Sequence, residues 1–435
     1  MNSYALYRLP HEEQCTLIEQ CEGQPEVLNT YAALDAQQGF VMAPFAIGES
    51  TPLLLIRPDN VSVLSQSDLH FAAKRFAFCR KMDSILPQND CHFAAKCNGN
   101  VRETPINREV YAIDFANFHA QLCNGVFRKL VLARCSEEPL PQQMTPIAMF
   151  QRACKLYPRL FIALVYTPQS GLWLTATPEI LLESNDGCRW RTIALAGTMR
   201  LKTDEMEGEG QHLNWSVKNI EEQRIVAAYM AKCLEQFTDD FTEEGPRTVR
   251  AAHLVHLRSD FTFTLRNNER VGDLLQALHP TPAVCGLPKR EAQQFITGNE
   301  QAPRLYYSGF MGPFNMPSSS TFNPIPSADA IPSADAIPSA DASPTRSLSP
   351  TRSLSPTRSL SPTRSLSPTR SLLPTRSLSP VTHLYVSLRC MQITDTQCRL
   401  YAGGGLLKES TEEQEWQETE AKLETMRRCL AEKSL

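Results

Sequence analysis

The chain has 435 residues, of which 42% are hydrophobic, with a formal net charge of -4 and a pI near 6.2. This length and apolar content suffice for an enzyme-sized core. The slightly acidic balance excludes the basic surface that is typical of nucleic-acid and membrane-surface binding, so neither partner is expected.

Cysteine usage and the lack of long apolar runs point to a soluble protein of a reducing compartment. The 14 cysteines are scattered without a CxxC pair, which is typical of core thiols rather than of disulfides or a zinc site. No stretch reaches the roughly 18 apolar residues of a membrane span. Residues 1–30, which include Glu12 and Glu19, lack a signal-like apolar run. We therefore expect a cytoplasmic location.

The predicted elements mix helices and strands along the chain. Helical periodicity occurs over 67–83, 107–123, 218–237, 270–278, 288–298 and 411–431. Strand signals occur over 128–135, 159–166, 170–177, 191–197, 251–265, 383–393 and 397–403. Short turns at 167–171 and 394–397 predict hairpins, so we expect an α/β fold of the α+β kind, with antiparallel sheets flanked by helices.

One segment differs in composition from the rest. The unit IPSADA occurs three times over 325–342, and six copies of SPTRSL or its variant LPTRSL follow over 343–378. Such Pro- and Ser-rich units cannot bury enough apolar surface to offset the entropy of ordering, so 319–381 is predicted to be a disordered insertion. A β-helix and a partner-binding role are the weaker alternatives.

The insertion divides one predicted domain into segments. Its first segment, 101–318, and its last, 382–435, flank the insertion, and 1–100 is a divergent N-terminal part whose fold the sequence does not define. Long insertions in surface loops are tolerated because closure entropy grows slowly with loop length.

The acidic helix predicted over 411–431 carries charges beside its apolar face. Projection at about 100° per residue places Trp416, Thr419, Leu423, Met426 and Leu430 on one stripe. Glu415, Glu418 and Lys422 form a second stripe beside it. These carboxylates either make a rim salt bridge or hold a cation.

A second helix, 218–237, places Glu222 on its apolar stripe with Val226 and Met230. A carboxylate on an apolar face is costly unless it is paired or binds a metal, and carboxylate oxygens are ligands that Mg²⁺ prefers. The alternative is a carboxylate near the helix start that interacts with the helix dipole. Glycines at 403–405 and 194–198 further suggest backbone amides that hold a small anion.

Nine motifs together resemble the chorismate-utilising enzymes, and within them the isochorismate synthases. They lie at 129–134, 177–179, 194–198, 218–223, 278–288, 304–312, 386–389, 401–405 and 415–422. The resemblance implies a single large domain with the active site between two halves. It also implies chorismate as the substrate and Mg²⁺ as the cofactor.

The resemblance assigns site residues by position. Glu222 and Glu418 are the implied metal ligands, with Glu415 close by. Implied substrate contacts are Thr198, Gly197, Tyr307, Arg389, Lys422 and the amides of Gly403, Gly404 and Gly405. His279 either shapes the ring pocket or has a structural role.

Isochorismate formation by this family's mechanism adds water at ring carbon 2 while the hydroxyl on carbon 4 leaves, so it requires a base and an acid. The matching residues are Lys129 as base and Glu179 as acid. Burial of Lys129 would favour the neutral amine, whereas a lone strand lysine more often snorkels to solvent. Glu179 needs a dry setting to stay protonated.

Departures and alternatives accompany this interpretation. Gln223 stands where the family usually has His, Thr177 stands for Ser, and the insertion lies between Tyr307 and Arg389. Salicylate synthase is the alternative enzyme. Lys129 disfavours anthranilate synthase, and no glutaminase partner is expected. A non-enzyme alternative is an inactive homologue that acts through the repeats. The sequence does not distinguish a menaquinone, siderophore or salicylate pathway, nor an oligomeric state.

Overall fold

The structure is a computed structural model that describes residues 3–65, 68–69, 108–142, 144–200, 214–252, 254–267, 270–317 and 380–431. The helix predicted over 67–83 and the insertion predicted over 319–381 lie almost entirely outside these ranges. Both therefore stay predictions.

Eighteen described strands form two nine-stranded sheets in which the paired strands run antiparallel. Sheet 1 has the order β14 (Gly286–Leu287), β7 (Lys129–Pro139), β18 (Gln397–Leu406), β17 (Cys390–Ile393), β9 (Gly171–Thr177), β8 (Phe161–Thr167), β1 (Ser3–Arg8), β2 (Cys15–Gln20) and β6 (Asn60–Leu64). Sheet 2 has the order β12 (Phe241–Ala251), β13 (Leu254–Thr264), β11 (Arg189–Arg200), β10 (Ile180–Ser184), β16 (Thr382–Val386), β15 (Phe310–Phe314), β4 (Gly39–Ala43), β5 (Leu53–Ile56) and β3 (Glu26–Leu28).

Six described α-helices complete the fold, and five of them lie where the periodicity predicts them. They are α1 (Arg108–Cys123), α2 (Pro146–Leu156), α3 (Val217–Leu234), α4 (Val271–Leu278), α5 (Lys289–Asn299) and α6 (Glu412–Leu430). The sequence interpretation missed α2, although Thr145 caps its N-terminus by accepting from Ala148 N and proline occupies its first turn.

The described hydrophobic core has four clusters, one of which packs helices α1 and α5 against β7 through Phe118, Ile296 and Leu130. The inner faces of both sheets enclose one cluster, in which the rings of Phe161 and Tyr385 stack at 4.3 Å. Helices α2 and α6 cover the outer face of sheet 1, and α3 and α4 cover that of sheet 2. This arrangement confirms the expected antiparallel sheets flanked by helices, and β1 to β6 show that residues 3–64 contribute strands to both sheets.

Two of the connections by which the described chain passes between the sheets are adjacent crossovers. One joins β9 to β10 through Glu179, and the other joins β16 to β17 through Arg389. Ala176 N donates to Arg389 O at 3.1 Å and Val386 N donates to Glu179 O at 2.9 Å, so the crossovers bond to each other. The single strand predicted over 383–393 is wrong, because Arg389 adopts φ 45° and the chain changes sheets there.

Glycine substitutions test the close approach of β15 to β4. A Cβ at Gly309 would lie 1.9 Å from Ala43 O, whereas a Cβ at Gly298 in α5 meets no atom within 4 Å. We expect Gly309→Ala to lower the free energy of unfolding by about 2–4 kcal/mol. Gly298→Ala, the matched control, should leave it unchanged or raise it by up to about 1 kcal/mol. Urea unfolding followed by circular dichroism measures both, and equal stabilities would contradict the packing described.

Candidate active site

A cavity lies where the crossovers meet the ends of β7, β18, β11 and β13. It contains about 580 Å³ of atom-free space, a volume that includes space open to solvent. Its polar lining consists of Glu179, Gly197, Thr198, Glu222, His256, Tyr307, Arg389, Gly403, Gly405 and Lys422. Its apolar lining includes Val131, Leu195, Ala283, Val284 and Leu388.

Glu179 is held in a dry environment, as its expected role as an acid requires. Its side chain is almost completely buried at the first crossover, and this burial raises its pKa to about 7 against the opposing charges of Lys129 and Arg389. The carboxyl group therefore retains a proton over a large part of the neutral range. A carboxylic acid of this kind can donate a proton to a leaving group.

Lys129 begins β7 and has no exposed surface, so the snorkelling alternative is wrong. Its Nζ lies 2.9 Å from Glu222 Oε1, although the ammonium has no hydrogen bond of acceptable geometry within the described residues. The ion pair joins a strand of sheet 1 to helix α3 of sheet 2. Lys129 is thereby held beside the cavity with donors still unused.

Helix α3 presents Glu222 to the cavity. Ser216 caps the helix by accepting from Asn219 N, and Val217 is the first helical residue. Glu222 therefore lies in the second turn, beyond the reach of the helix-dipole alternative. Burial opposes its ionisation, but the charges of Lys129 and Lys218 lower its pKa below the usual value. The expected inward orientation of Glu222 is confirmed, with 7% exposure.

The second crossover and β13 form a wall rich in hydrogen-bond donors. Arg389 Nη2 lies 2.6 Å from His256 Nε2, and its Nε and Nη1 have no partner within the described part of the chain. Burial lowers the pKa of Arg389 to about 10, so the guanidinium stays charged at neutral pH. His256 Nδ1 in turn contacts Gly197 O at 3.2 Å and Thr198 Oγ1 at 3.3 Å.

Sequence reasoning missed His256. The residue lies in the predicted strand 251–265, but alternation does not tell which face of a strand meets a cavity. Val131 and Leu195 of the apolar lining, which also lie in strands, were missed for the same reason.

The glycines of β18 make room for functional side chains. A Cβ at Gly405 would lie 2.0 Å from Glu222 Oε1 and 3.0 Å from Lys129 Cε, and one at Gly403 would lie 2.7 Å from the Tyr307 hydroxyl. Lys422 Nζ donates to Gly403 O at 2.8 Å and to Glu418 Oε1 at 2.7 Å. The groups that approach Gly403 and Gly405 closely are thus side chains of the protein itself.

Helix α6 holds the other two predicted metal ligands. Glu415 is fully buried and pairs with Lys218, while Glu418 pairs with Lys422. Burial and the neighbouring charge of Glu418 raise the pKa of Glu415 to about 7. The inward position expected for Glu415 is confirmed, and Glu418 is half-buried.

The donor chemistry of this region fits a hard cation. Glu415 Oε2 is buried without a hydrogen-bond partner among the described residues, and Glu418 repels its negative charge. A divalent ion would remove both costs. Within the described ranges no three His, Cys, Asp or Glu side chains are placed to hold one metal ion together. Glu222, Glu415 and Glu418 each pair with a lysine.

Some predicted site residues do not line the cavity. His279 does not: it packs against Tyr31 and Phe310 while its Nε2 donates to Pro44 O, and burial lowers its pKa to about 3. The structure therefore favours its structural role. Gly404 faces Glu415 Oε2 instead, and Lys129, Glu415 and Glu418 lie outside the lining.

Sequence comparison assigns this fold and site to a family. A family model described as "Chorismate binding enzyme" matches residues 59–323 and 381–431, and the chain belongs to that family. Among the described residues, no helix is long and apolar enough to cross a membrane.

Relatives within the family include several isochorismate synthases. Isochorismate synthase EntC of Escherichia coli K12 is 24% identical over 301 residues, covering 68% of this chain and 61% of EntC. The chain thus spans about three fifths of that relative's length. The salicylate biosynthesis isochorismate synthase of Pseudomonas aeruginosa is 33% identical over 195 residues, covering 43% of this chain and 40% of that protein.

Solved structures share the fold. MenF, the menaquinone-specific isochorismate synthase from Escherichia coli, superposes with a TM-score of 0.66 at 19% identity over 99% of this chain and 89% of that chain. Anthranilate synthase component I from Streptococcus pneumoniae gives a TM-score of 0.56 at 15% identity over 96% of this chain and 81% of that chain.

The raised pKa of Glu179 predicts a pH-dependent stability. The folded state binds the proton more tightly than the unfolded state, in which the pKa of Glu179 is 4.5. The contribution of the protonated carboxyl to the free energy of unfolding is therefore fully present below pH 4.5 and is lost as the pH rises through about 7. Glu179→Gln cannot ionise at this position. Between pH 4.5 and pH 8 its free energy of unfolding should therefore rise by about 3 kcal/mol relative to that of the wild type. Urea unfolding in the presence of a chelator measures the difference, and parallel pH profiles would refute the assignment.

Proposed function

We propose that this protein is an isochorismate synthase that converts chorismate to isochorismate with Mg²⁺ in the cytoplasm. The observation that carries the proposal is a cavity lined by a glutamic acid of pKa about 7 and by Glu222, with the buried Lys129 paired to Glu222 beside it. Similarity to several isochorismate synthases supports it. No glutaminase partner is required, because water rather than ammonia is the nucleophile.

Lys129 and Glu179 divide the two proton transfers. Lys129 is the base that takes a proton from the water that adds at carbon 2. Glu179 donates its proton to the hydroxyl that leaves carbon 4 as water, so the atoms of chorismate and isochorismate balance. Nζ of Lys129 lies 2.9 Å from Oε1 of Glu222, which lines the cavity, so the proposed base is next to the space that substrate and water would enter.

The remaining groups bind and orient the substrate. Arg389 offers a charged guanidinium with unused N–H groups, which suits a carboxylate. Tyr307 and Thr198 supply hydroxyl groups at the cavity wall. A Mg²⁺ ion held by Glu222, Glu418 and Glu415 would neutralise a substrate carboxylate, and Lys422 lies beside that site.

Product analysis tests the reaction. The purified full chain is incubated with chorismate, with and without Mg²⁺ and ammonium, and the products are separated by chromatography. We expect isochorismate, and we expect Lys129→Met to lower its formation by at least about 100-fold because the base is lost.

The matched control is Lys289→Met, which removes a lysine that donates to Gln276 O and Ala277 O outside the cavity. It should retain turnover even if its melting temperature falls. Salicylate as the main product would identify a salicylate synthase instead, and an aminated product would identify an ammonia-using enzyme. Full activity of Lys129→Met would remove the assigned base.

Magnesium binding is tested by a readout other than turnover. An ion that binds only the folded state raises the melting temperature with its concentration. Glu222→Gln and Glu418→Gln should raise the half-saturating Mg²⁺ concentration by about tenfold or more. Glu420→Gln is the control, since Glu420 pairs with Arg134 and Arg427 instead. A common Mg²⁺ response in all three variants would argue against these ligands.

A further inference from the structure

Gln223 is a buried residue whose amide bonds to two sheet strands. Its side chain is on helix α3 and is 1% exposed. Its Oε1 accepts from Ala196 N at 2.9 Å, and its Nε2 donates to Ala194 O at 3.2 Å and to Ser259 Oγ at 3.3 Å. Both polar atoms of the amide are therefore used.

These bonds supply what a neighbouring strand would supply. Strand β11 pairs with β13 along one edge. Along its other edge it pairs with β10 at Arg191 and Glu183, which is N-terminal to Ala194. Buried backbone groups need partners. A primary amide carries a donor and an acceptor on one carbon, so Gln223 can satisfy the carbonyl of Ala194 and the N–H of Ala196 together.

A second amide lies one turn earlier on the same helix face. Asn219 Nδ2 donates to Thr198 O at 3.4 Å. Between the two contacts lies Gly197, where the β11–β13 register shifts and φ is 69°. A Cβ at Gly197 would lie 3.0 Å from Asn219 O, so helix and bulge are in close contact. We call Asn219 and Gln223 the amide clamp.

The clamped backbone forms part of the cavity wall. Gly197 and Thr198 line the cavity. His256 contacts both of them through its Nδ1 and contacts Arg389 through its Nε2. Movement of the bulge would therefore shift the imidazole that orients the Arg389 guanidinium. Small misplacements of such groups cost large factors in rate or binding.

We propose that Gln223, with Asn219, is a positioning residue that sets the geometry of the anion-binding wall formed by Gly197, Thr198, His256 and Arg389. This inference rests on the proposed function for its substrate, a carboxylate bound at Arg389. The amide does this without adding a charge beside Glu222. Gln223 thus has a definite task of its own at the position where the family pattern predicts histidine.

The test compares two buried glutamines. Gln223→Leu should raise KM for chorismate about tenfold or more with a smaller change in kcat, because the wall that binds the substrate carboxylate is displaced. Hydrogen exchange of the Ala196 amide, measured without substrate, should quicken at least about tenfold because its acceptor is lost.

Gln20→Leu is the matched control. Gln20 is also fully buried and also bonds the backbone through both ends of its amide, at Gln24 O and Arg57 N, far from the cavity lining. Both variants should melt at lower temperature, but only Gln223→Leu should change KM and the exchange at Ala196. Equal KM values in the two variants, or unchanged exchange at Ala196, would overturn the proposal.

Two further measurements test the proposal if Gln223→Leu does not fold or if the wild type is inactive with chorismate. If Gln223→Leu does not fold, the half-buried Asn219→Ala should raise KM several-fold with little loss of stability, and an unchanged KM would count against the amide clamp. If the wild type does not turn over chorismate, the proposed function fails by itself. The exchange of Ala196 still decides whether Gln223 holds the bulge.

Discussion

The buried ion pair between Lys129 and Glu222 is the interaction on which the site depends. It joins β7 of sheet 1 to α3 of sheet 2, and neither side chain has appreciable contact with solvent. Removing two charges from water costs several kcal/mol per ion, which the pair's own attraction only partly offsets. Stability alone would favour apolar residues here, so the pair is best explained by the chemistry of the cavity it borders.

The crossovers explain why the carboxyl group of Glu179 and the guanidinium of Arg389 line the same cavity. A strand that changes sheets must leave one ladder and enter another, and the linking residues lie in the gap between the sheets rather than on an outer face. Glu179 and Arg389 occupy these links, and the links are bonded to each other through backbone groups. The positions of both side chains follow from topology, so they tolerate little movement of either sheet.

Helical periodicity predicted the orientation of buried carboxylates well but strand patterns predicted the wall poorly. Glu222 and Glu415 face inward as projected, because a helix fixes the angular relation of its side chains. Arg389 was placed inside a continuous strand, since a left-handed residue other than glycine leaves no signal in the sequence. The position of His256 at the cavity and the role of Gln223 depend on which strands are neighbours. Such long-range pairing cannot be read from the local spacing of residues.

The charges around the cavity favour a negatively charged ligand. Four cations lie in or beside it, and two of the four neighbouring carboxyl groups, Glu179 and Glu415, have pKa values near 7. The cations are Lys129, Lys218, Arg389 and Lys422. Near neutrality the partly protonated carboxyls leave positive charge in excess. A dicarboxylate such as chorismate would offset that excess, and burial makes the attraction stronger than it would be in water.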